Sequence, residues 1–92
     1  MDQLKELRIQ IDKIDRQIIS SLIERKKLVA HVAEHKIKNG LPIKNRDRER
    51  ELITAKISLA QGELEAEFVQ KVFRLIIEHS CQLQEKLFKK II

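Results

Sequence analysis

The sequence has little of what disulfide-linked, zinc-binding and base-stacking proteins use. Its 92 residues include one Cys, three Phe, no Trp and no Tyr. A single cysteine, Cys81, excludes an intrachain disulfide and a cysteine-based metal site, and its apolar helical neighbours predict a small buried side chain. Two Gly and one Pro leave few turns. The remaining composition, rich in Ile, Leu, Lys, Glu, Arg and Gln, favours long helices.

Signals for a metal, a membrane or export are also missing. His31 and His35 have the i,i+4 spacing of zinc ligands, but no Glu follows His31 and no third ligand suggests itself, so we expect an ordinary helix surface and no metal. No apolar run is long enough to cross a bilayer. Met1 and Asp2 lead directly into an amphipathic pattern without a signal core. We therefore expect a cytoplasmic protein with no membrane partner.

The charge is moderately basic, with a net charge of +5 from 19 Lys plus Arg against 14 Asp plus Glu. Such a balance can attract nucleic acid, an anionic membrane or a small anion. Here basic and acidic residues alternate along most of the chain, as on solvated helix faces. Stacking on nucleic-acid bases would need exposed aromatic residues, and the three Phe occupy predicted core positions. The pattern argues against a nucleic-acid partner.

Hydrophobic periodicity predicts an all-α single domain over residues 1–92 with three helices. Apolar residues recur at steps of 3 and 4 from Leu4 to Val32, which predicts one long first helix. This helix should end near Lys38, because Asn39-Gly40 supplies a left-handed cap and Pro42 prevents continuation. A short second helix fits about residues 46 to 60, and a long third helix fits about residues 64 to 90.

The length of the first helix predicts a homodimer. A helix of about 35 residues is roughly 50 Å long at 1.5 Å per residue, which exceeds the diameter of a small domain. The two other helices cannot cover its whole apolar stripe, so a second copy is the simplest cover. A plain antiparallel coiled-coil dimer without catalytic activity is the alternative.

Polar residues interrupt the predicted core stripes of two helices. Arg25 and Lys36 continue the apolar rhythm of the first helix and differ by only about 20° around its axis. In the third helix, Ser80 and Gln84 share the apolar face. Buried cations are costly unless an anion accompanies them. Two cations, an amide and a hydroxyl on inward faces therefore predict a pocket for a small anion.

Each of these residues also has a purely structural explanation. Arg25 could pair with Glu24 or Glu49, Lys36 could extend its ammonium to solvent, and Gln84 could be a satisfied core amide. The charged run from Lys44 to Glu51 reads by itself as a solvated helix start, with Asp47 or Asn45 as its N-cap. The coincidence of four polar residues on two stripes favours the pocket.

Arg8 lies too far along the first helix to join that pocket within one chain. It is about 26 Å from Arg25 at 1.5 Å per residue. In an antiparallel dimer, the start of one first helix passes near the middle of its partner. Arg8 could then reach the pocket of the other protomer.

Together, these positions resemble the all-helical chorismate mutases, which convert chorismate to prephenate in phenylalanine and tyrosine biosynthesis. The resemblance extends from Leu7-Arg8 to about Phe88. The segments that carry it are Leu7-Arg8 with Ile11 and Ile14-Asp15; Glu24-Arg25; Lys36; Pro42 followed by Asp47-Arg48-Glu49; and Leu75-Ile76-Ile77-Glu78 with Ser80 and Gln84. The family fold implies an intertwined homodimer of three-helix chains, with one arginine of each site supplied by the partner.

The resemblance also implies a role for each residue. Arg25 and the Arg8 of the other protomer would bind the two carboxylates of chorismate. Lys36 and Gln84 would donate hydrogen bonds to the ether oxygen, and Glu49 would accept one from the ring hydroxyl. Arg48 and Ser80 would lie around the ring carboxylate, and Asn45 would also belong to the substrate-binding residues. The rearrangement is unimolecular, so no cofactor is expected.

One position departs from the family, and two other functions compete. Relatives often have Asp where this chain has Asn45, which could weaken binding if that carboxylate contacts the hydroxyl. An isochorismate–pyruvate lyase shares the fold and similar arginines, although Asp47-Arg48-Glu49 looks more like a mutase. A non-catalytic helical assembly module is the third possibility.

Overall fold

The computed structural model describes residues 2–91 as three α-helices and no strand. Helix α1 spans Gln3–Lys38, α2 spans Arg46–Leu59 and α3 spans Ala66–Ile91. The predicted all-α class and the order long, short, long are confirmed. The end of α1 lies at the predicted residue, and the bounds of α2 and α3 agree within about two residues.

Local capping explains where the helices begin and end. The Asp2 carboxylate accepts a hydrogen bond from the Leu4 backbone N–H at 3.1 Å, and the Asn45 side chain does the same for the Arg48 N–H at 3.1 Å. Both satisfy donors that a helix N-terminus leaves unpaired. After α1 the chain turns through Gly40, whose φ of +63° is costly for other residues.

Helix α3 packs against both α1 and α2, while α1 and α2 make no close backbone contact within residues 2–91. The resulting molecule is elongated, with extents of 57 × 27 × 14 Å. Four side chains within the described part are buried: the apolar Ala33 and Val69, and the polar Ser80 and Gln84. Because α3 brings polar groups to its contacts, the buried interior of one chain is half polar.

The N-terminal part of α1, residues 3–24, is exposed at every position; we call this segment the arm. Its apolar stripe includes Leu7, Ile11, Ile14 and Ile18, which are each about half exposed. A contiguous apolar stripe of this length is typical of a protein interface. The stripe is not a membrane span, since none of the described helices combines the length and apolarity that crossing a bilayer needs.

Candidate active site

Three polar contacts connect α3 to the end of α1 and the start of α2. Arg25 of α1 contacts Ser80, Lys36 of α1 contacts Gln84, and Glu49 of α2 contacts Cys81. All six of these side chains are half-buried or buried. The fold therefore assembles the four stripe residues, and it adds Glu49 from the second helix.

Two acceptors hold the Lys36 ammonium at the end of α1. Its Nζ lies 2.7 Å from the Ile43 carbonyl oxygen and 3.0 Å from Gln84 Oε1. The Ile43 carbonyl reaches this position because the chain turns back after α1, where the Leu41 N–H donates to the Lys36 carbonyl at 2.8 Å. A lysine ammonium has three N–H donors. Two are used, so the third remains for an anion.

The amide of Gln84 is fixed at both ends. Its Oε1 accepts from Lys36, and its Nε2 donates to the Ser80 carbonyl oxygen at 3.3 Å. Since Lys36 can only donate, it determines which end of the amide carries the oxygen. The Nε2 group retains a second hydrogen. Gln84 is only 6% exposed, and its two contacts fix the orientation of the amide and of this hydrogen.

The guanidinium of Arg25 rests on the hydroxyl of Ser80. Arg25 Nη1 donates to Ser80 Oγ, and Ser80 Oγ donates in turn to the Ile76 carbonyl oxygen at 2.9 Å. Burial lowers the pKa of Arg25 below its ordinary value. The group stays charged, because an arginine does not lose its proton at any physiological pH. Four of its five N–H donors are left for a ligand such as a carboxylate.

Glu49 and Cys81 meet across the α2–α3 contact. Cys81 Sγ lies 3.8 Å from Glu49 Oε1, and both residues line a cleft of about 470 Å³ together with Ile77. Burial and the nearby Glu49 carboxylate raise the pKa of the Cys81 thiol. The neutral thiol can donate to the carboxylate, which leaves the second Glu49 oxygen as an acceptor.

Three predicted site residues stand apart from these contacts. Arg8 lies on the arm, about 26 Å along the helix from Arg25. Arg48 is exposed at the start of α2, and the side-chain oxygen of Asn45 caps the same helix. An Asn caps a helix as well as an Asp does, so Asn45 still caps α2 although relatives often have Asp at this position.

Two features of the site were not predicted from the sequence. The Ile43 carbonyl is a backbone group, so its contact with Lys36 cannot be predicted from the residue type. Cys81 was expected to be a small buried hydrophobe, but it is half-buried and contacts Glu49. Cys81 directly follows the predicted site residue Ser80 on α3, and this proximity was the one sequence signal that could have indicated its place at the site. Residues 2–91 contain no cluster of His, Cys, Asp and Glu that could hold a metal ion.

Comparison with known families finds a match to chorismate mutase type II over residues 7–85. That range includes all the contacts of the candidate site and most of the arm. The chain belongs to the chorismate mutase type II family. The resemblance inferred from the residues is thereby confirmed.

Individual relatives of the family agree over almost the whole chain. A chorismate mutase of Methanocaldococcus jannaschii is 31% identical over 91 residues, which are 98% of this chain and 92% of that protein. A bifunctional chorismate mutase/prephenate dehydratase of Buchnera aphidicola from Schizaphis graminum is 39% identical over 97% of this chain. The Escherichia coli K12 protein of the same name is 33% identical over 95%. The chain spans only 23% of the length of each bifunctional relative.

Proposed function

We propose that this chain is a chorismate mutase that acts as an intertwined homodimer in phenylalanine and tyrosine biosynthesis. It rearranges chorismate to prephenate without a cofactor. Membership of the chorismate mutase type II family supports the reaction. The assembly and the residue roles rest on the geometry of the contacts and on the exposed arm.

The observation that carries the proposal is the Lys36–Gln84 pair. These two side chains are hydrogen-bonded to each other at 3.0 Å, and each retains one unused N–H. Arg25 lies on the same side of the α1–α3 contact, with most of its donors free. Two fixed donors beside a cationic clamp match a small dicarboxylate whose reacting oxygen lies between its anionic groups.

The rearrangement needs positioning and charge stabilisation. The carbon–oxygen bond of the enolpyruvyl ether breaks while a new carbon–carbon bond forms within the same molecule, so no nucleophile or base is required. Binding must hold the substrate in its reactive folded shape. Negative charge grows on the ether oxygen as its bond to carbon breaks, and preorganised donors lower the barrier most at such an atom. We assign that donation to Lys36 and Gln84.

The other residues hold the substrate. Arg25 binds one carboxylate, and Glu49 accepts a hydrogen bond from the ring hydroxyl through the oxygen that Cys81 leaves free. Arg48 lies near the ring carboxylate in this scheme. Asn45 supports α2 through its cap, and we expect its contribution to substrate binding to come mainly from its backbone.

A second copy completes the site. The arm exposes apolar residues along its length, and the other described residues, up to residue 91, leave these side chains exposed in a single chain. Antiparallel pairing of two α1 helices buries both stripes and brings Arg8 of one protomer toward Arg25 of the other. The second substrate carboxylate then has its own cation.

The direct test is to incubate purified protein with chorismate and identify the product by chromatography. We expect prephenate, at an undiminished rate in EDTA, because the site uses only protein donors. A parallel incubation with isochorismate tests the lyase alternative. Salicylate and pyruvate from isochorismate without prephenate from chorismate would replace this proposal with the lyase. Failure of both substrates to react would favour an assembly module.

A further inference from the structure

The turn between α1 and α2 holds Lys36 at both ends. The Lys36 backbone carbonyl accepts a hydrogen bond from the Leu41 N–H at 2.8 Å, and the Lys36 ammonium donates to the Ile43 carbonyl oxygen at 2.7 Å. One short turn therefore contacts the same helical residue at its main chain and at the tip of its side chain. Lys36 and Ile43 are both half-buried, so water competes less for this contact than it does at an exposed surface.

Gly40 determines the path of this turn. Its φ of +63° lies in the left-handed region, where any residue with a Cβ is strained. Pro42 then fixes its own φ at about −65° and favours an extended conformation at Leu41. A Cβ placed on Gly40 would meet no heavy atom within 4 Å. A side chain at position 40 would therefore disturb the backbone path without causing a collision.

A lysine needs such support to act as a fixed donor. Its four-carbon stem is flexible, and its ammonium donates in three directions. Gln84 Oε1 supplies one acceptor at 3.0 Å from Nζ, and the Ile43 carbonyl supplies the second. These two acceptors and the Cε atom define three of the four directions around the nitrogen, which sets the direction of the remaining N–H. Without the Ile43 carbonyl, the ammonium rotates about its single contact with Gln84.

We infer that the α1–α2 turn is a positioning element of the active site, in which Gly40 allows the Ile43 carbonyl to hold the Lys36 ammonium toward the reacting oxygen. This inference rests on the proposed function for the role of Lys36. The sequence alone predicts Gly40 only as part of the cap that ends α1. The structure adds that the same turn supports a catalytic donor, and that Gly40 and the Ile43 carbonyl act through Lys36.

Substitution of Gly40 should affect turnover more than binding. Gly40→Val should lower kcat by about 10-fold, which is less than the roughly 10²-fold loss expected when the donor is removed altogether. KM should stay within about threefold of wild type, because a donor at developing charge contributes mainly in the transition state. Gly40→Asn should retain kcat within about twofold of wild type, since Asn tolerates the left-handed conformation.

Gly62 provides a matched control in the turn between α2 and α3. Its φ is +77°, and a Cβ at this position would also meet no heavy atom within 4 Å. The neighbouring Gln61 and Glu63 N–H groups donate to the carbonyls of Ser58 and Ala60. Gly62→Val imposes a similar backbone strain, so it should lower thermal stability to a similar degree while kcat stays within about twofold of wild type. Equal losses of kcat in Gly40→Val and Gly62→Val would show that strain alone lowers activity, and the inference would be wrong.

A double-mutant cycle tests whether the turn acts through the lysine. Gly40→Val is combined with Lys36→Ala, and kcat is measured at high enzyme concentration. If the turn acts through Lys36, Gly40→Val has almost no further effect once the ammonium is gone. The same fold-loss in both backgrounds would instead indicate an effect on another part of the site and would contradict the inference.

Nuclear magnetic resonance of the ligand-free protein tests the contact without relying on any activity. We expect a scalar coupling through the hydrogen bond between Lys36 Nζ and the Ile43 carbonyl carbon in wild type, Gly62→Val and Gly40→Asn, and none in Gly40→Val. Gly40→Ala strains the backbone with a smaller side chain and replaces the valine variant if that variant does not fold. No coupling in wild type, or a retained coupling in folded Gly40→Val or Gly40→Ala, would overturn the inference. Absence of mutase activity beside the expected couplings would contradict only the proposed function.

Discussion

The arm and the rest of the chain differ in which side chains they expose and which they bury. Residues 3–24 form regular helix with apolar side chains in contact with solvent, whereas residues 25–91 fold back on themselves and bury polar side chains. Each part thus contains what the other lacks. The arm offers apolar surface and Arg8, and residues 25–91, which we call the packed half although they are the larger part, offer Arg25, Lys36 and Gln84.

This difference shows that stability and chemistry are both incomplete in a single chain. Two buried apolar side chains are a small core for a chain of this size, and small domains need extra apolar burial to be stable. The same association that covers the arm can deliver Arg8. We therefore expect changes in the arm to affect assembly and activity together, and changes in the packed half to affect activity alone.

The largest effect should come from charges on the arm stripe. Ile11→Glu combined with Ile18→Glu places four carboxylates in a two-fold interface and should abolish the dimer, with activity falling to background. Sedimentation equilibrium and the chorismate assay measure the two outcomes. Lys13→Gln with Ser20→Glu changes the charge equally but lies on the opposite face of the helix, so that variant should remain dimeric and active. A monomeric Ile11/Ile18 variant with wild-type activity would contradict the claim that the arm is needed for both assembly and activity.

A smaller effect is expected in the packed half. Lys36→Ala removes one preorganised donor from developing charge and should lower kcat by roughly 10²-fold. The dimer and the helical circular dichroism should persist, because Lys36 lies outside the arm through which the two chains are proposed to associate. Lys38→Ala removes the same charge from the exposed last turn and should be near wild type. Equal losses in both variants would indicate a general charge effect instead of a specific donor.

The smallest effect concerns the reactivity of two thiols. Alkylation requires the thiolate, and the raised pKa of Cys81 keeps that residue protonated at pH 8. We expect iodoacetamide to react slowly with Cys81 and to need a more alkaline solution than an exposed thiol needs to reach the same rate. A Ser20→Cys, Cys81→Ser variant places the thiol on the exposed arm and should react at the rate of a free thiol. Faster reaction at Cys81 would contradict its contact with Glu49.

The helices could be predicted from sequence because their signals are local. The 3-and-4 spacing of apolar residues defined α1 and α3, and Asn39-Gly40 with Pro42 marked the end of α1. The N-cap of α2 could not be decided between Asn45 and Asp47, since both types cap well. The structure selects Asn45.

The site was only partly predictable, for a physical reason. Periodicity identified Arg25, Lys36, Ser80 and Gln84 as polar residues on inward faces, but it could not give their partners. Arg25 pairs with Ser80 instead of Glu24 or Glu49, and Lys36 bonds a backbone carbonyl. These choices depend on the crossing of α1 and α3 and on the turn after α1, which arise from packing between segments distant in sequence.

Complementation between two inactive variants tests the shared site most directly. Arg8→Ala and Arg25→Ala should each be nearly inactive as homodimers, because both sites lose one carboxylate clamp. When the two are unfolded, mixed equally and refolded, about half of the dimers are heterodimers, each with one intact site. Activity should return to about a quarter of wild type. No recovery, with heterodimers verified by native mass spectrometry, would contradict a site built from two chains.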